Sequence, residues 1–136
     1  MSYPQLLTPE EMLDGAKERL SIPKVVVLCG STRFMTTMTE VARQLTWAGH
    51  IVVKPDCDMK VPHPLWEDPE DAEAGKVRLD DLHRAKIRLA GEVLVVGNYI
   101  GPSTLAEIYY AKSLGKTVTY THPEVDPDRR GLRDDG

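Results

Sequence analysis

The chain has few cysteines and no long apolar run, and each of these features excludes some classes of protein. Its 136 residues include only two cysteines, Cys29 and Cys57, too few for a disulfide framework or for the paired-cysteine spacing of a zinc site. No charged segment followed by an apolar stretch resembles a signal peptide or a membrane span. We therefore expect a reduced, cytoplasmic protein that does not associate with membranes.

The chain also lacks an excess of positive charge. Seventeen lysines and arginines stand against twenty-one acids, for a formal charge of −4, which gives no general attraction for nucleic acid. No internal repeat is visible. The length and the 41% of hydrophobic residues suffice for one domain with its own core. Any anion site must therefore be local.

Apolar runs alternate with segments of helical periodicity, a pattern typical of a parallel sheet covered by helices. The run 24–29, a helical segment that Gly49 ends, and the run 51–53 make a β-α-β unit, whose strands should be parallel. We predict a single-domain Rossmann-like (flavodoxin-like) α/β fold, an open parallel sheet of about four to five strands flanked by helices. The expected strands are 24–29, 51–53, 92–96 and 116–120, and the expected helices are about 8–20, 34–48, 76–90 and 103–114.

Two segments depart from this alternation. The stretch 55–75 is rich in prolines and acids and predicts a long loop with at most a short helical piece; such loops are usually functional or mobile. The stretch 123–136 has almost nothing to bury and predicts a disordered tail. The domain is therefore expected to span 1–122, with its core at about 24–120.

One carboxylate stands where open sheets bind ligands. The buried-strand run 92–96 breaks into a polar glycine loop, and the helix that follows carries Glu107 in its first turns. Ligands of open α/β sheets lie in the crevice outside the carboxyl ends of the strands. Glu107 is therefore the best candidate for a reacting group, the alternative being a solvated glutamate on a capped helix.

The turn Gly30-Ser31-Thr32-Arg33 also lies where a strand becomes a helix. Backbone N–H groups, two hydroxyls and a guanidinium converge there with the helix dipole behind them, so a phosphate would fit. An equally good alternative is that Gly30 only permits the turn, while Ser31 or Thr32 caps the helix. The positive charge of Arg33 favours the interpretation as an anion site. The turn lacks the second glycine and lysine of a P-loop and the three glycines of the dinucleotide fingerprint, which disfavours nucleoside triphosphates and dinucleotides.

Three polar residues share one face of the helix before the third strand. Asp80, His83 and Lys86 follow at three-residue spacing, so they either face the crevice or form a solvated surface, which is the commoner case. His83 stands out because histidine exchanges protons near neutral pH.

The loop that follows the second strand carries further candidates. Asp56 and Asp58 either reach the crevice or serve as turn residues, and the turn role is favoured. Trp66 stacks on a base or, more commonly for such a residue, anchors the loop. His63 and these acids lack the spacing of a known metal site, so no metal or cofactor is expected.

Four segments resemble a known family: LCGSTR (28–33), LHRAKI (82–87), YIGPSTLAEI (99–108) and AKSLGK (111–116). They are similar to the nucleoside 2-deoxyribosyltransferase superfamily, which includes the deoxynucleoside 5′-monophosphate N-glycosidases. The similarity runs from about residue 24 to residue 120, and its most specific parts are the first glycine turn and the segment 99–107.

The resemblance implies a role for Glu107. In the superfamily a glutamate at this position attacks the anomeric carbon of the sugar, and water or a second base resolves the glycosyl-enzyme. The leaving base needs a proton, which family members usually take from an aspartate on the preceding helix. This chain has Arg84 near the aligned position, with His83, Asp81 and Asp80 as neighbours.

The resemblance also implies a set of binding residues and an assembly. The monophosphate N-glycosidases hold the 5′-phosphate with the first turn and a serine of the nucleophile loop, here Ser31, Arg33 and Ser103. Family active sites often borrow residues from a neighbouring subunit, which implies a homodimer or higher homo-oligomer. The other expected substrate-binding residues are Cys29, Gly30, Thr32, Asp56, Lys86, Asn98, Tyr99 and Gly101.

The predicted function is cleavage of the N-glycosidic bond of a nucleoside 5′-monophosphate, by hydrolysis rather than transfer. Glu107 is the expected nucleophile, His83 the proton shuttle or orienting group, and Asp81 a further catalytic candidate. The alternative is a nucleotide-binding sensor or accessory protein that keeps the pocket without the chemistry. A related phosphoribohydrolase is disfavoured because those enzymes carry Pro-Gly-Gly before their glutamate, whereas this chain has Gly101-Pro102.

Overall fold

A four-stranded parallel sheet forms the centre of the fold in the computed structural model, which describes residues 6–129. All five residues of the strand β1 are buried, because this strand has a neighbour on each side and helices over its faces. The predicted α/β class, an open parallel sheet flanked by helices, is confirmed. In spatial order the strands are β2 (Ile51–Val53), β1 (Val25–Cys29), β3 (Glu92–Val95) and β4 (Thr117–Tyr120).

The order of the strands creates a switch point in the sheet. The chain leaves β1 for β2 on one side and then crosses to β3 on the other side, so the loops after β1 and β3 diverge. Cys29 is paired in register with Val95, and both loops therefore begin at the same edge. Crevices at such switch points are where open α/β sheets bind ligands.

The helices begin where local signals place them. The helix α1, Pro9–Arg19, starts with a capping box, in which the Thr8 hydroxyl accepts a bond from the Glu11 N–H and the Glu11 carboxylate accepts one from the Thr8 N–H. Proline occupies the first turn of α1, α3 and α4, where its missing N–H has no helical partner to lose. The helices are α1 (Pro9–Arg19), α2 (Met35–Trp47), α3 (Pro69–Leu89) and α4 (Pro102–Ser113).

Helix α3 begins earlier than its apolar periodicity predicts. It starts at Pro69 instead of residue 76, because the Asp68 side chain accepts bonds from the N–H groups of Glu70 and Asp71 and caps it. A 3₁₀ turn, Pro64–Trp66, takes up another part of the expected loop. The structureless segment is therefore much shorter than predicted.

Two apolar clusters hold the helices on opposite faces of the sheet. On one face Met38 of α2 packs with Val26 and Leu28 of β1. On the other face Ile87 of α3 and Ile108 of α4 pack against alternate residues of β1 and β3. Since α3 and α4 share one face, side chains from both helices meet beyond the ends of β1 and β3.

The chain after β4 folds back onto α4 for as far as the structure describes it. Residues 123–129, which we expect from composition to begin a disordered tail, contain a 3₁₀ turn, Pro123–Val125. Lys112 lies 3.7 Å from a carboxylate oxygen of Asp126 and also pairs with Asp128, and this local charge pairing is not visible in the composition. Residues 130–136 lie outside the described part. None of the described helices is long and apolar enough to cross a bilayer.

Candidate functional site

A cavity of about 590 Å³ opens at the switch point. The turn after β1, the loop after β2, and the helices α3 and α4 all contribute to its wall. Its volume falls within the range of small-molecule sites, roughly 300 to 1,000 Å³. The polar groups predicted from the two glycine loops therefore face a space large enough for a ligand.

Glycines allow the two loops to approach each other. Gly30 has φ +153°, and a Cβ there would lie 2.7 Å from the carbonyl oxygen of Val96. Gly97 has φ +105°, and its Cβ would lie 2.4 Å from ring atoms of Phe34. Both values of φ are rare for residues with a side chain, so the close packing of the loops depends on glycine at both positions.

Glu107, His83 and Cys29 meet at the wall of the cavity. The Nε2 atom of His83 lies 3.5 Å from Oε2 of Glu107 and 3.2 Å from Sγ of Cys29. Glu107 and His83 line the cavity, whereas Cys29 is fully buried. The Glu107 side chain is 25% exposed and that of His83 10%. The carboxylate is therefore open to a ligand, while the groups behind it are closed to solvent.

The surroundings of this cluster favour a neutral thiol at Cys29. Burial raises the pKa of the Cys29 thiol well above its usual value, and the negative charge of Glu107 raises it further. The Nδ1 atom of His83 is buried and makes no hydrogen bond within residues 6–129. Both groups are thus held in a dry environment, where electrostatic interactions are stronger than in water.

The turn after β1 has both of the roles that the sequence left open. The Ser31 hydroxyl accepts a bond from the N–H of Arg33 and caps a 3₁₀ turn, Thr32–Phe34. The Arg33 guanidinium stacks over the ring of Tyr99, 4.1 Å from its centre. The turn is capped, as in the structural alternative, yet its hydroxyls and the guanidinium still line the cavity.

Most of the predicted binding residues face the cavity. Lys86 does so while donating a bond of 2.9 Å from Nζ to the carbonyl oxygen of Lys54, and Asp56 does so while accepting one of 2.6 Å from the N–H of Cys57. The favoured turn role of Asp56 thus coexists with a place at the site. The other predicted residues on the cavity wall are Gly30, Ser31, Thr32, Arg33, Tyr99, Gly101 and Ser103.

Three predicted residues do not line the cavity, and one of them is Cys29, an expected substrate-binding residue that is fully buried behind the wall. The Asp81 side chain is 73% exposed and lies 3.9 Å from a guanidinium nitrogen of Arg84, because a position two residues from His83 projects from another face of the helix. Asn98 is exposed on the loop after β3 and does not line the cavity. Asp80, three residues before His83, does line it.

Some cavity residues were not singled out from the sequence. Lys76 precedes Asp80 by four positions and Thr104 precedes Glu107 by three, so extending each helical face by one turn would find both. Met59 and Lys60 line the cavity because the loop after β2 folds back, with Cys57 at φ +61°. No periodicity signals this fold-back.

Trp66 anchors the loop, as expected. Its indole Nε1 donates a bond of 2.8 Å to the carbonyl oxygen of Val61, and its ring centre lies 4.7 Å from that of His63. The His63 Nδ1 accepts a bond from the N–H of Leu65. Both rings therefore hold the loop in shape beside the main cavity.

The fold and the site define an open α/β protein with a glutamate in its switch-point crevice. No protein-family model, no curated protein and no solved structure matches the chain. The resemblance to the nucleoside 2-deoxyribosyltransferase superfamily therefore rests on the sequence segments alone.

Proposed function

We propose that this protein hydrolyses the N-glycosidic bond of a nucleoside 5′-monophosphate, with Glu107 as the nucleophile. The observation that supports the proposal most directly is the partly exposed Glu107 carboxylate in the wall of a cavity of about 590 Å³. A retaining glycosidase needs a carboxylate that can reach the anomeric carbon from a site closed to bulk water.

The proposed reaction has two steps. An oxygen of Glu107 forms a bond to the anomeric carbon while the bond to the base breaks, and its electron pair leaves with the base nitrogen. A water then attacks the same carbon and gives a proton to the group that protonated the base, the sugar–carboxylate bond breaks, and the sugar 5-phosphate leaves with Glu107 restored. Dividing one difficult displacement into two lowers the barrier of each step.

The leaving base must gain a proton, and two groups on the cavity wall are candidates for its source. His83 lies 3.5 Å from Glu107, which suits a group that orients the carboxylate and passes a proton. Asp80 lines the cavity on the same helical face. With Asp81 turned toward Arg84, Asp80 replaces it as the carboxylic acid of our proposal.

The choice of a monophosphate rests on the polar groups of the two glycine loops. Ser31, Arg33 and Ser103 line the cavity together. A guanidinium and two hydroxyls recognise phosphate through charge-assisted hydrogen bonds. Because the chain carries a formal charge of −4, this local group, rather than a general field, would attract the anion.

The test is release of free base. A panel of canonical and modified nucleoside monophosphates, each beside its free nucleoside, is incubated with the protein and followed by chromatography. Glu107→Gln and Glu107→Ala should abolish release while circular dichroism shows the fold intact. The matched control is Glu40→Gln, an exposed glutamate of α2 that pairs with Arg43 and should keep full activity. Undiminished release by the Glu107 variants would end the proposal.

A second candidate function is nucleotide binding without turnover. The observation that favours it is the position of Asp81 outside the cavity, which removes one predicted proton donor. Tight binding of a monophosphate, with no base released by the wild type or by Glu107→Gln, would support the sensor. Turnover by the wild type alone would support the enzyme.

The homodimer and the cytoplasmic location belong to the proposal as expectations from the sequence. Both cysteines lie within the described residues and carry free thiols, which suits a reducing compartment. Light scattering coupled to gel filtration tests the dimer.

A further inference from the structure

Cys29, His83 and Glu107 each point one metal-binding atom at the same small space. Their ligand atoms all lie within 4.8 Å of one another, and the two shorter separations are 3.2 Å and 3.5 Å. Zinc bonds of about 2.0 to 2.3 Å in tetrahedral arrangement place neighbouring ligand atoms roughly 3.3 to 3.7 Å apart. The cluster is therefore close to the size of a tetrahedral site, and small rotations of side chains would complete it.

The three residues come from three elements, which hold them in place. Cys29 is the last residue of β1, His83 lies in α3 and Glu107 in α4, and each of these elements contributes to the same apolar cluster. The thiol is fully buried, His83 is 8% exposed and only Glu107 is partly open. Such a cluster is fixed by the core of the fold, unlike a group of acids on a surface.

We infer that this cluster binds a thiophilic divalent cation of the Zn²⁺ class, with Cys29 Sγ, His83 Nε2 and Glu107 as ligands and with the fourth position open to the cavity. Sulfur and imidazole select Zn²⁺ or Co²⁺ over Mg²⁺ and Ca²⁺, which prefer oxygen ligands. Three protein ligands with an open fourth position are typical of accessible zinc sites.

The charges of the proposed ligands match a divalent cation. On binding, the S–H bond of Cys29 breaks and its proton passes to the solvent buffer. The thiolate and the Glu107 carboxylate then offset the two positive charges of the cation between them.

Occupancy of the site has a consequence that rests on the proposed function. A cation bound to Glu107 takes up the electron pair that would attack the sugar, so metal binding and catalysis exclude each other. The cation is then an inhibitor of the hydrolase. Metal binding itself does not require the protein to be an enzyme, and the two claims can fail separately.

The direct test is titration of the full chain with Co²⁺ alone, in the absence of chelators. A cysteine thiolate bound to Co²⁺ gives a charge-transfer band in the near ultraviolet. An equal amount of Zn²⁺ should displace the Co²⁺ and remove the band. We expect one equivalent per chain. Loss of an outer-shell partner weakens metal binding by about 10 to 100-fold. Loss of a ligand should weaken Co²⁺ binding at least as much. Glu107→Gln should therefore weaken Co²⁺ binding but retain the band.

The two cysteines of the chain provide a matched pair of variants. Cys29→Ser should lose the band, whereas Cys57→Ser should keep it with unchanged affinity. If Cys29→Ser does not fold, persistence of the band in Cys57→Ser still assigns the thiolate to Cys29. Absence of the band in the wild type, or its loss in Cys57→Ser, would overturn the site.

A final measurement separates inhibition from binding. Where base release is detected, Zn²⁺ should suppress it at the concentration at which Zn²⁺ displaces Co²⁺. Full activity with the site saturated would overturn the inhibitory role and leave the metal site standing. A band in the Co²⁺ titration, together with no base release by the metal-free protein, would support the metal site and count against the hydrolase.

Discussion

At the scale of single residues, the candidate site depends on the contacts of His83 with Glu107 and Cys29, at 3.5 Å and 3.2 Å, between side chains of three different elements. The location of Glu107 at the cavity could be predicted, because a strand, a glycine loop and a helix fix where this position lies in an open sheet. The cluster that Glu107 forms with His83 and Cys29 could not, since Cys29 and His83 alone lie 54 residues apart in the chain. Asp81 illustrates the same limit, because one position along a helix turns a side chain by about 100°.

The close approach of the two loops predicts a large effect at Gly30. Gly30→Ala should destabilise the protein by about 2 kcal/mol or more, because the added Cβ meets the Val96 carbonyl at 2.7 Å and the backbone is strained at φ +153°. Gly49→Ala is the control, since Gly49 has φ +96° with nothing within 4 Å of its Cβ. Urea unfolding measures both, and equal losses would show that strain alone, without the clash, determines the cost.

The buried thiol predicts a loss of stability at alkaline pH. The folded-state pKa of Cys29 is raised by burial and by Glu107, so the unfolded chain releases this proton first as the pH rises. The contribution of the Cys29 thiol to the free energy of unfolding is fully present below about pH 8.5. It is lost as the pH rises toward the folded-state pKa, by at most about 1.4 kcal/mol per pH unit.

The free energy of unfolding of the wild type, Cys29→Ser and Cys57→Ser, measured between about pH 7 and pH 10, tests whether stability falls as the pH rises. Cys29→Ser should lose the part of the slope that the thiol supplies, and Cys57→Ser should keep the wild-type slope. An identical slope in Cys29→Ser and the wild type would mean that other groups cause the alkaline loss.

At the scale of elements, burial determines which helices and strands can be predicted accurately from the sequence. Strand β1 is buried throughout and was predicted within one residue, because a continuous apolar run leaves few alternatives. The start of α3 was missed, since its first turns are polar and follow a run of prolines. Yet Asp68-Pro69-Glu70-Asp71 has the same order as Thr8-Pro9-Glu10-Glu11, a cap, a proline and two acids, and each of the two segments starts a helix.

That comparison predicts a measurable contribution from the missed cap. Asp68→Ala should destabilise the protein by about 1 kcal/mol, because two N–H groups at the start of α3 lose their acceptor. Asp81→Ala, on the exposed face of the same helix, should change stability by no more than about 0.5 kcal/mol. Thermal unfolding compares them, and equal effects would exclude a special role for Asp68.

At the scale of the whole molecule, the site is a product of topology. The strand order places the carboxyl ends of β1 and β3 beside each other, and α3 and α4 on one face bring His83 and Glu107 together. The alternation of elements predicted the parallel sheet flanked by helices, but neither the strand order nor the contact between these two side chains. The place of Asp56 at the cavity was expected, but the approach of Met59 and Lys60 to its wall was not, because it depends on long-range packing and on the strained turn at Cys57.

The shared crevice predicts that a bound nucleotide stabilises the entire domain. With Glu107→Gln to prevent turnover, a preferred monophosphate at 100 times its Kd should stabilise the fold by about 2.7 kcal/mol, which raises Tm on the order of 10 °C. Arg33→Ala in that background should weaken monophosphate binding about 10 to 100-fold, since it removes a charged hydrogen-bond donor. Binding of the free nucleoside should change little.

The control for this measurement is Arg43→Ala, which removes an arginine of α2 that pairs with Glu40 outside the cavity. It should leave the Tm shift of both ligands unchanged, because a positive charge distant from the crevice is screened by salt. If Arg33→Ala weakened the monophosphate and the free nucleoside equally, Arg33 would be acting through its stacking on Tyr99 and not on the phosphate. The assignment of the phosphate to the turn after β1 would then be wrong, even with Glu107 retained as the nucleophile.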